Sequence, residues 1–215
     1  MAGPISRDLL PDTTDISSGE HTLVGGCDLL ELAHEFGTPL FVYDETHLRS
    51  RCREAVEAFD GNVAYATKAF LCTEMARLAY QEGMNLDVAT GGELYIARKA
   101  DVPGERIVMH GNNKSFEELD MALRENVGRI VVDSFNELDR LEELCADLNK
   151  SIKVLLRVTP GVEAHTHEFV STGQEDSKFG FTVKSGVAEE AVERARSSKH
   201  LELLGLHAHI GSQVF

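Results

Sequence analysis

The sequence runs to 215 residues, 42% of them hydrophobic, which is enough apolar material for one large domain or two small ones. Its 21 Lys and Arg against 36 Asp and Glu leave a net charge of -15, which argues against nucleic acid and anionic membrane surfaces as partners, because both require clustered cations. Cys27, Cys52, Cys72 and Cys145 are scattered with no C-x-x-C, so they indicate neither a zinc site nor a disulfide framework and read as reduced thiols of a cytoplasmic protein. No run is apolar over the length of a membrane span, and the opening MAGPISRDLLPDTTD has no signal-peptide core.

Residues 1–38 read as a separate segment, rich in turn residues, with short apolar runs at Leu9-Leu10 and Leu23-Val24 and a helix over Leu29 to Phe36. From residue 39 the pattern becomes regular. Phe41-Val42-Tyr43 reads as a short strand, and Asp44 can cap a helix running to about Phe59. Strands are then expected at Val63–Thr67, Met84–Val88, Arg106–His110, Arg129–Val132, Lys153–Val158 and Leu201–His209, as apolar runs buried on both faces. The helices between them carry start signals: Thr90-Gly-Gly-Glu93, Ser115-Phe-Glu-Glu118 and Ser134-Phe-Asn-Glu137 each fit the capping-box pattern.

The strand ends fall near Lys68, Asp87, His110, Asp133, Arg157 and His209. The first four intervals are each about twenty residues, one compact βα unit. The last is roughly double, and its extra length, Pro160 to Lys184, reads as a functional loop on the same face. Such repetition suggests a (β/α)₈ barrel or a doubly wound sheet. The strands number about six, short of the eight that close a barrel.

Lys68 ends an apolar strand on the face where a barrel places its active site. Burial there would favour the neutral amine that attacks an aldehyde, the chemistry of a Schiff-base lysine; the plain alternative is a lysine reaching solvent along its stem. Asp87, Arg157 and His209 end three other strands, and polar residues gathered from several strand ends are how barrels build sites. His207-Ala-His209 puts two imidazoles on one face of a strand, and His165-Thr-His167 is a second pair, so zinc is a competing reading. A flat imidazole against a cofactor ring is the better use of His209. Gly211-Ser212-Gln213 offers backbone N–H groups and a hydroxyl suited to a phosphate. Gly91-Gly92 does not complete G-x-G-x-x-G, so dinucleotide binding is not supported.

With these residues placed, TPLFVYD (38–44), YATKAF (65–70), LDVATGGEL (86–94), HGNNKS (110–115), DSFNEL (133–138), LLRVTPGVEAHTHEFVSTGQEDSKFGF (155–181) and GLHAHIGSQ (205–213) together resemble the fold-type III pyridoxal-phosphate decarboxylases. The long 155–181 stretch and HIGSQ favour the diaminopimelate branch over the ornithine and arginine branches. The resemblance implies an α/β fold, an alanine-racemase-like (β/α)₈ TIM barrel truncated after about six strands. Residues 39–215 would form a partial cofactor-binding barrel, and residues 1–38 would lead into a second, β-rich domain. It implies pyridoxal 5′-phosphate as cofactor, with Lys68 as the Schiff-base lysine and His209 on the pyridine ring. Gly211 and Ser212 would lie near the phosphate, Asp87 and Arg157 in the polar network behind the cofactor, and His110 and Lys178 toward the substrate mouth. No metal is implied.

The implied reaction is decarboxylation of meso-2,6-diaminopimelate to L-lysine and carbon dioxide, the last step of lysine biosynthesis, by a cytoplasmic homodimer with a small-molecule substrate. The family's later glycine-rich phosphate loop, its pyridine-pairing glutamate and its partner-subunit cysteine do not occur here. The 215 residues are therefore expected to be the N-terminal half of a longer product, inactive by themselves. Three competing readings remain: a decarboxylase of another basic amino acid, a non-catalytic relative that binds a protein, and a metal-dependent hydrolase using His207 and His209.

Overall fold

The computed structural model describes residues 5–17, 19, 21–161 and 179–211. These form two compact units, one from the stretch up to Val63 together with Gln81–Met84, the other from Ala64–Tyr80 and the described residues from Asn85 onward.

The first unit holds an antiparallel hairpin, β1 (Leu23–Val24) and β2 (Cys27–Asp28), followed by α1 (Leu29–Phe36) and α2 (Glu45–Ala58). Each helix starts where an aspartate can satisfy its orphan N–H groups. Asp28 Oδ1 accepts from Leu30 N at 2.7 Å, and Asp44 Oδ1 accepts from His47 N at 3.1 Å. Both helices match their sequence expectation. The strand expected at Phe41–Tyr43 does not form: the segment is irregular and Phe41 is 84% exposed. Three apolar residues suit a strand, but without a pairing neighbour their backbone groups gain nothing by extending.

The second unit is a parallel sheet of β3 (Ala64–Ala66), β4 (Asn85–Val88), β5 (Ile107–Met109), β6 (Arg129–Val132) and β7 (Ile152–Thr159), joined on β7 by β8 (Phe181–Thr182) and β9 (Leu201–His207). The connections carry α3 (Thr73–Gln81), α4 (Gly91–Lys99), α5 (Phe116–Arg124), α6 (Phe135–Leu148) and α7 (Val187–Ser197). All six expected strands of this part are present within a residue or two, the last ending at His207 rather than His209. The described part of the expected 160–184 loop contains β8, which pairs with the end of β7; residues 162–178 of that loop lie outside the described residues.

One face of the sheet is sealed. Leu86, Val88, Ile107, Met109, Val154 and Leu156 are all 0% exposed, each burial stabilising the fold by about 1.5–3 kcal/mol. The alternate positions face the other way and stand in register across the sheet: Ala66, Asp87, Val108 and Arg129 in one row, then Val131, Leu155 and Gly205, then Arg157 and His207. This is the inner face of a barrel wall. The described strands do not close it; on β9, Leu204 and Leu206 are 45% and 58% exposed, Leu206 on the side of its register partner Leu156.

The three capping signals are real, with a difference. Thr90, Ser115 and Ser134 each accept from the backbone N–H three residues on. Only Glu118 completes the reciprocal box by accepting from Ser115 N. Glu93 and Glu137 reach one residue further back, to Ala89 N and Asp133 N, and so anchor the exits of β4 and β6.

Candidate active site

Strand alternation decides which side chains meet. Two residues beyond Val108, Val131, Leu155 and Gly205 come His110, Asp133, Arg157 and His207, all carried to the inner face at the C-terminal edge of the sheet with Asp87. Their contacts form a rail. Asp87 Oδ2 lies 3.5 Å from His110 Nδ1, and His110 Nε2 lies 3.4 Å from Arg157 Nη1. Arg157 Nη1 also pairs with Asp133 Oδ1 at 3.5 Å, and Asp133 Oδ2 accepts from Gly180 N at 3.0 Å. A carboxylate only accepts and a guanidinium only donates, so the arrangement that serves both contacts puts the His110 proton on Nδ1 and its lone pair on Nε2.

Two further groups shape this rail. The Arg157 guanidinium lies over the Phe179 ring, 4.3 Å from its centroid. Gly180 has φ +73°, and a Cβ there would sit 2.6 Å from the Arg157 carbonyl oxygen, so no larger residue fits without moving β7.

The imidazole of His207 meets that of His110 edge to face, with centroids 4.7 Å apart. Burial first, then the nearby His110 and Arg157, push the His207 pKa down to about 4, with Asp87 opposing. His209 is also lowered, by burial and by Arg157, Lys68 and His110. Arg157 and Lys68 bring basic side chains to this edge of a chain whose net charge is -15.

The His207 shift has a testable sign. The folded state disfavours the imidazolium, so the stability tied to neutral His207 is present above pH 6.5 and is lost as pH falls toward about 4. A His207→Asn variant is expected to lose less stability than the parent between pH 7 and pH 4.5, read as urea midpoints. Parallel losses would contradict it.

Lys68 does not lie on a strand. It occupies a single 3-10 turn, Thr67–Ala69, just past β3, and is exposed, not buried as the sequence reading supposed. No described strand covers the inner face opposite it. The turn itself is fixed: Thr67, 1% exposed, donates to the Asp87 carbonyl at 2.9 Å, and Tyr65 Oη donates to the Phe70 carbonyl at 2.8 Å. Gly211 has φ +145°, a conformation open to glycine. Ser212 and Lys178, like His165 and His167, lie outside the described residues. Among the described residues no three or more His, Cys, Asp or Glu side chains are grouped to hold a metal ion.

Sequence reasoning noted Asp133 only as a strand end and weighed His207 only as a zinc ligand. It gave no role to Lys114 and read Glu137 only as part of a capping box; the two form a buried ion pair beneath the rail at 2.8 Å. A two-residue step from a strand's inward row would have found the first two; nothing local in the sequence marks the second pair.

A partial parallel barrel with an exposed lysine, a buried arginine and several imidazoles at its C-terminal edge is the kind of wall on which barrel proteins build a ligand site. Residues 45–215 match the family described as pyridoxal-dependent decarboxylase, pyridoxal binding domain, and the chain belongs to that family. It is 54% identical over 200 residues to the diaminopimelate decarboxylase of Bacillus subtilis (strain 168), covering 91% of this chain and 46% of that protein. It is 55% identical over 194 residues to that of Mycobacterium tuberculosis (strain H37Rv), covering 89% and 43%. The crystal structure of diaminopimelate decarboxylase from M. jannaschii in complex with L-lysine superposes with a TM-score of 0.84 at 36% identity, covering 96% of this chain and 50% of that one. The chain thus spans about half the length of the relatives it matches.

Proposed function

We propose that this chain carries the cofactor wall of a decarboxylase that acts on meso-2,6-diaminopimelate and releases L-lysine and carbon dioxide. The carrying observation is the gathering of Lys68, Asp87, His110, Arg157, His207 and His209 at one edge of one sheet face. The diaminopimelate specificity rests on relatives above 50% identity bearing that name.

The residues fit pyridoxal 5′-phosphate. Asp87 Oδ1 and His207 Nδ1 are buried with no hydrogen-bond partner among the described residues, and such groups call for a polar occupant. When bound, the cofactor supplies an electrophilic carbonyl and an electron sink for the pair left by a departing carboxylate. Lys68 Nζ would be its attachment point, His209 would serve the ring, and Gly211 with Ser212 the phosphate. Arg157 would hold positive charge beside the cofactor while Asp133 keeps its guanidinium aimed. Asp87 holds the His110 proton on Nδ1. We assign His110 and Lys178 to the substrate side. Residues 1–38 lead into a β-rich second domain, 39–215 form the barrel wall, and the full protein is a cytoplasmic homodimer.

The test is carbon dioxide release by the full-length protein, supplied with pyridoxal phosphate, from meso-diaminopimelate, ornithine and arginine in parallel. The expected result is a kcat/KM for meso-diaminopimelate above the other two by about 10²-fold or more. A preference for ornithine or arginine would sink the substrate assignment, and no turnover of any of them would sink the enzymatic reading.

A further inference from the structure

Lys114 and Glu137 lie outside the roles just assigned, yet they are among the most deeply buried charges described, with side chains 1% and 5% exposed. A buried ion pair is a poor stabiliser, because desolvation offsets most of the attraction, and apolar replacements are often neutral. Its contacts show where it acts. Lys114 Nζ pairs with Glu137 Oε1 at 2.8 Å and donates to the carbonyls of Gly111 at 2.5 Å and Val131 at 2.8 Å. Glu137 Oε2 accepts from Asp133 N at 3.3 Å, and Arg140 donates to the Lys114 carbonyl at 3.0 Å.

The backbone groups of Gly111, Val131 and Asp133 all neighbour the rail. Gly111 directly follows His110, whose own N–H is held by the Val88 carbonyl at 2.7 Å. Gly111 has φ +110°, and a Cβ there would stand 3.0 Å from the Ala89 carbonyl oxygen, so this exit turn is tightly seated against the end of β4. Val131 and Asp133 form the exit of β6. One ion pair therefore ties the loop bearing His110 to the strand end bearing Asp133, the two residues that both contact Arg157 Nη1.

We propose that the Lys114–Glu137 pair is a positioning device for the cofactor site: it sets the exits of β5 and β6 so that His110 and Asp133 together aim Arg157. This rests on the pyridoxal reading above for its consequence, though not for its geometry. The pair touches neither substrate nor cofactor.

The test uses the full-length protein and the double variant Lys114→Met/Glu137→Leu, which removes both charges and leaves neither unpaired. Two signals are read: the His110 imidazole ¹⁵N shifts without cofactor, and the dissociation constant for pyridoxal phosphate from its visible band. The parent is expected to show the Nδ1–H form of His110. The double variant is expected to melt within a few degrees of the parent, lose that single form and bind the cofactor roughly tenfold more weakly, as outer-shell changes do elsewhere. A folded double variant with parental shifts and parental affinity would overturn the proposal. Should it not fold, Lys114→Arg serves: its planar head keeps the charge but cannot make the same three contacts. The same two changes are expected of it, and their absence overturns the proposal equally. A parent that shows the ordered His110 form but takes up no cofactor would sink the functional reading instead, leaving the ¹⁵N comparison to decide the role of the pair.

Discussion

Replacing Lys68 with alanine is expected to abolish stable cofactor attachment and lower decarboxylation by about 10³-fold or more in the full-length protein, as losing a covalent catalytic amine does. The stability cost should be small. Lys68 is exposed, and the turn carrying it is held by Thr67 and Tyr65 through bonds that do not involve the lysine side chain. Lys114 is locked under the rail, whereas Lys68 directly follows β3 and is exposed. Lys68→Arg should fail as completely, since a guanidinium retains the charge but not an amine that can become neutral. Thermal melting beside activity separates the cases. A Lys68→Ala protein that melts normally and still turns over would contradict the assignment.

The second large effect belongs to Arg157. Its side chain is 6% exposed and that of its partner Asp133 is 4% exposed. Burial lowers the Arg157 pKa and Asp133 opposes the shift, so the carboxylate compensates the cost of burying a guanidinium that stays charged. Arg157→Met would leave Asp133 buried with the Gly180 N–H as its remaining described donor, an uncompensated charge worth about 3 kcal/mol of stability. Adding Asp133→Asn should return more than about 1 kcal/mol of that loss, because the two residues are directly coupled. Urea unfolding of the two single variants and the double variant measures the coupling. Strictly additive losses would show that the pair does not act as a unit.

These expectations indicate what the sequence could and could not disclose. The parallel strands were legible because each is an apolar run and three of them are followed by a helix-capping residue; Thr90, Ser115 and Ser134 cap as their spacing implies. Phe41–Tyr43 misled, because a strand is a property of a pair of segments and the run carries no sign of whether a neighbour exists. Lys68, Asp87, Arg157 and His209 were visible as polar residues ending apolar runs. The exposure of Lys68 was not, since it depends on what covers the inner face. Asp133 and His207 were within reach of strand parity. The Lys114–Glu137 pair was not, because one member lies in the loop after β5 and the other in the first turn of α6, and they meet only when β5 and β6 lie side by side.

The most direct test of the account is the position of the cofactor. Full-length protein is mixed with pyridoxal phosphate, reduced with borohydride, digested and mapped by mass spectrometry. The account predicts one pyridoxyl adduct, on the peptide containing Lys68, absent from the Lys68→Ala variant. No adduct, or labelling spread over many lysines with no excess at Lys68, would contradict it.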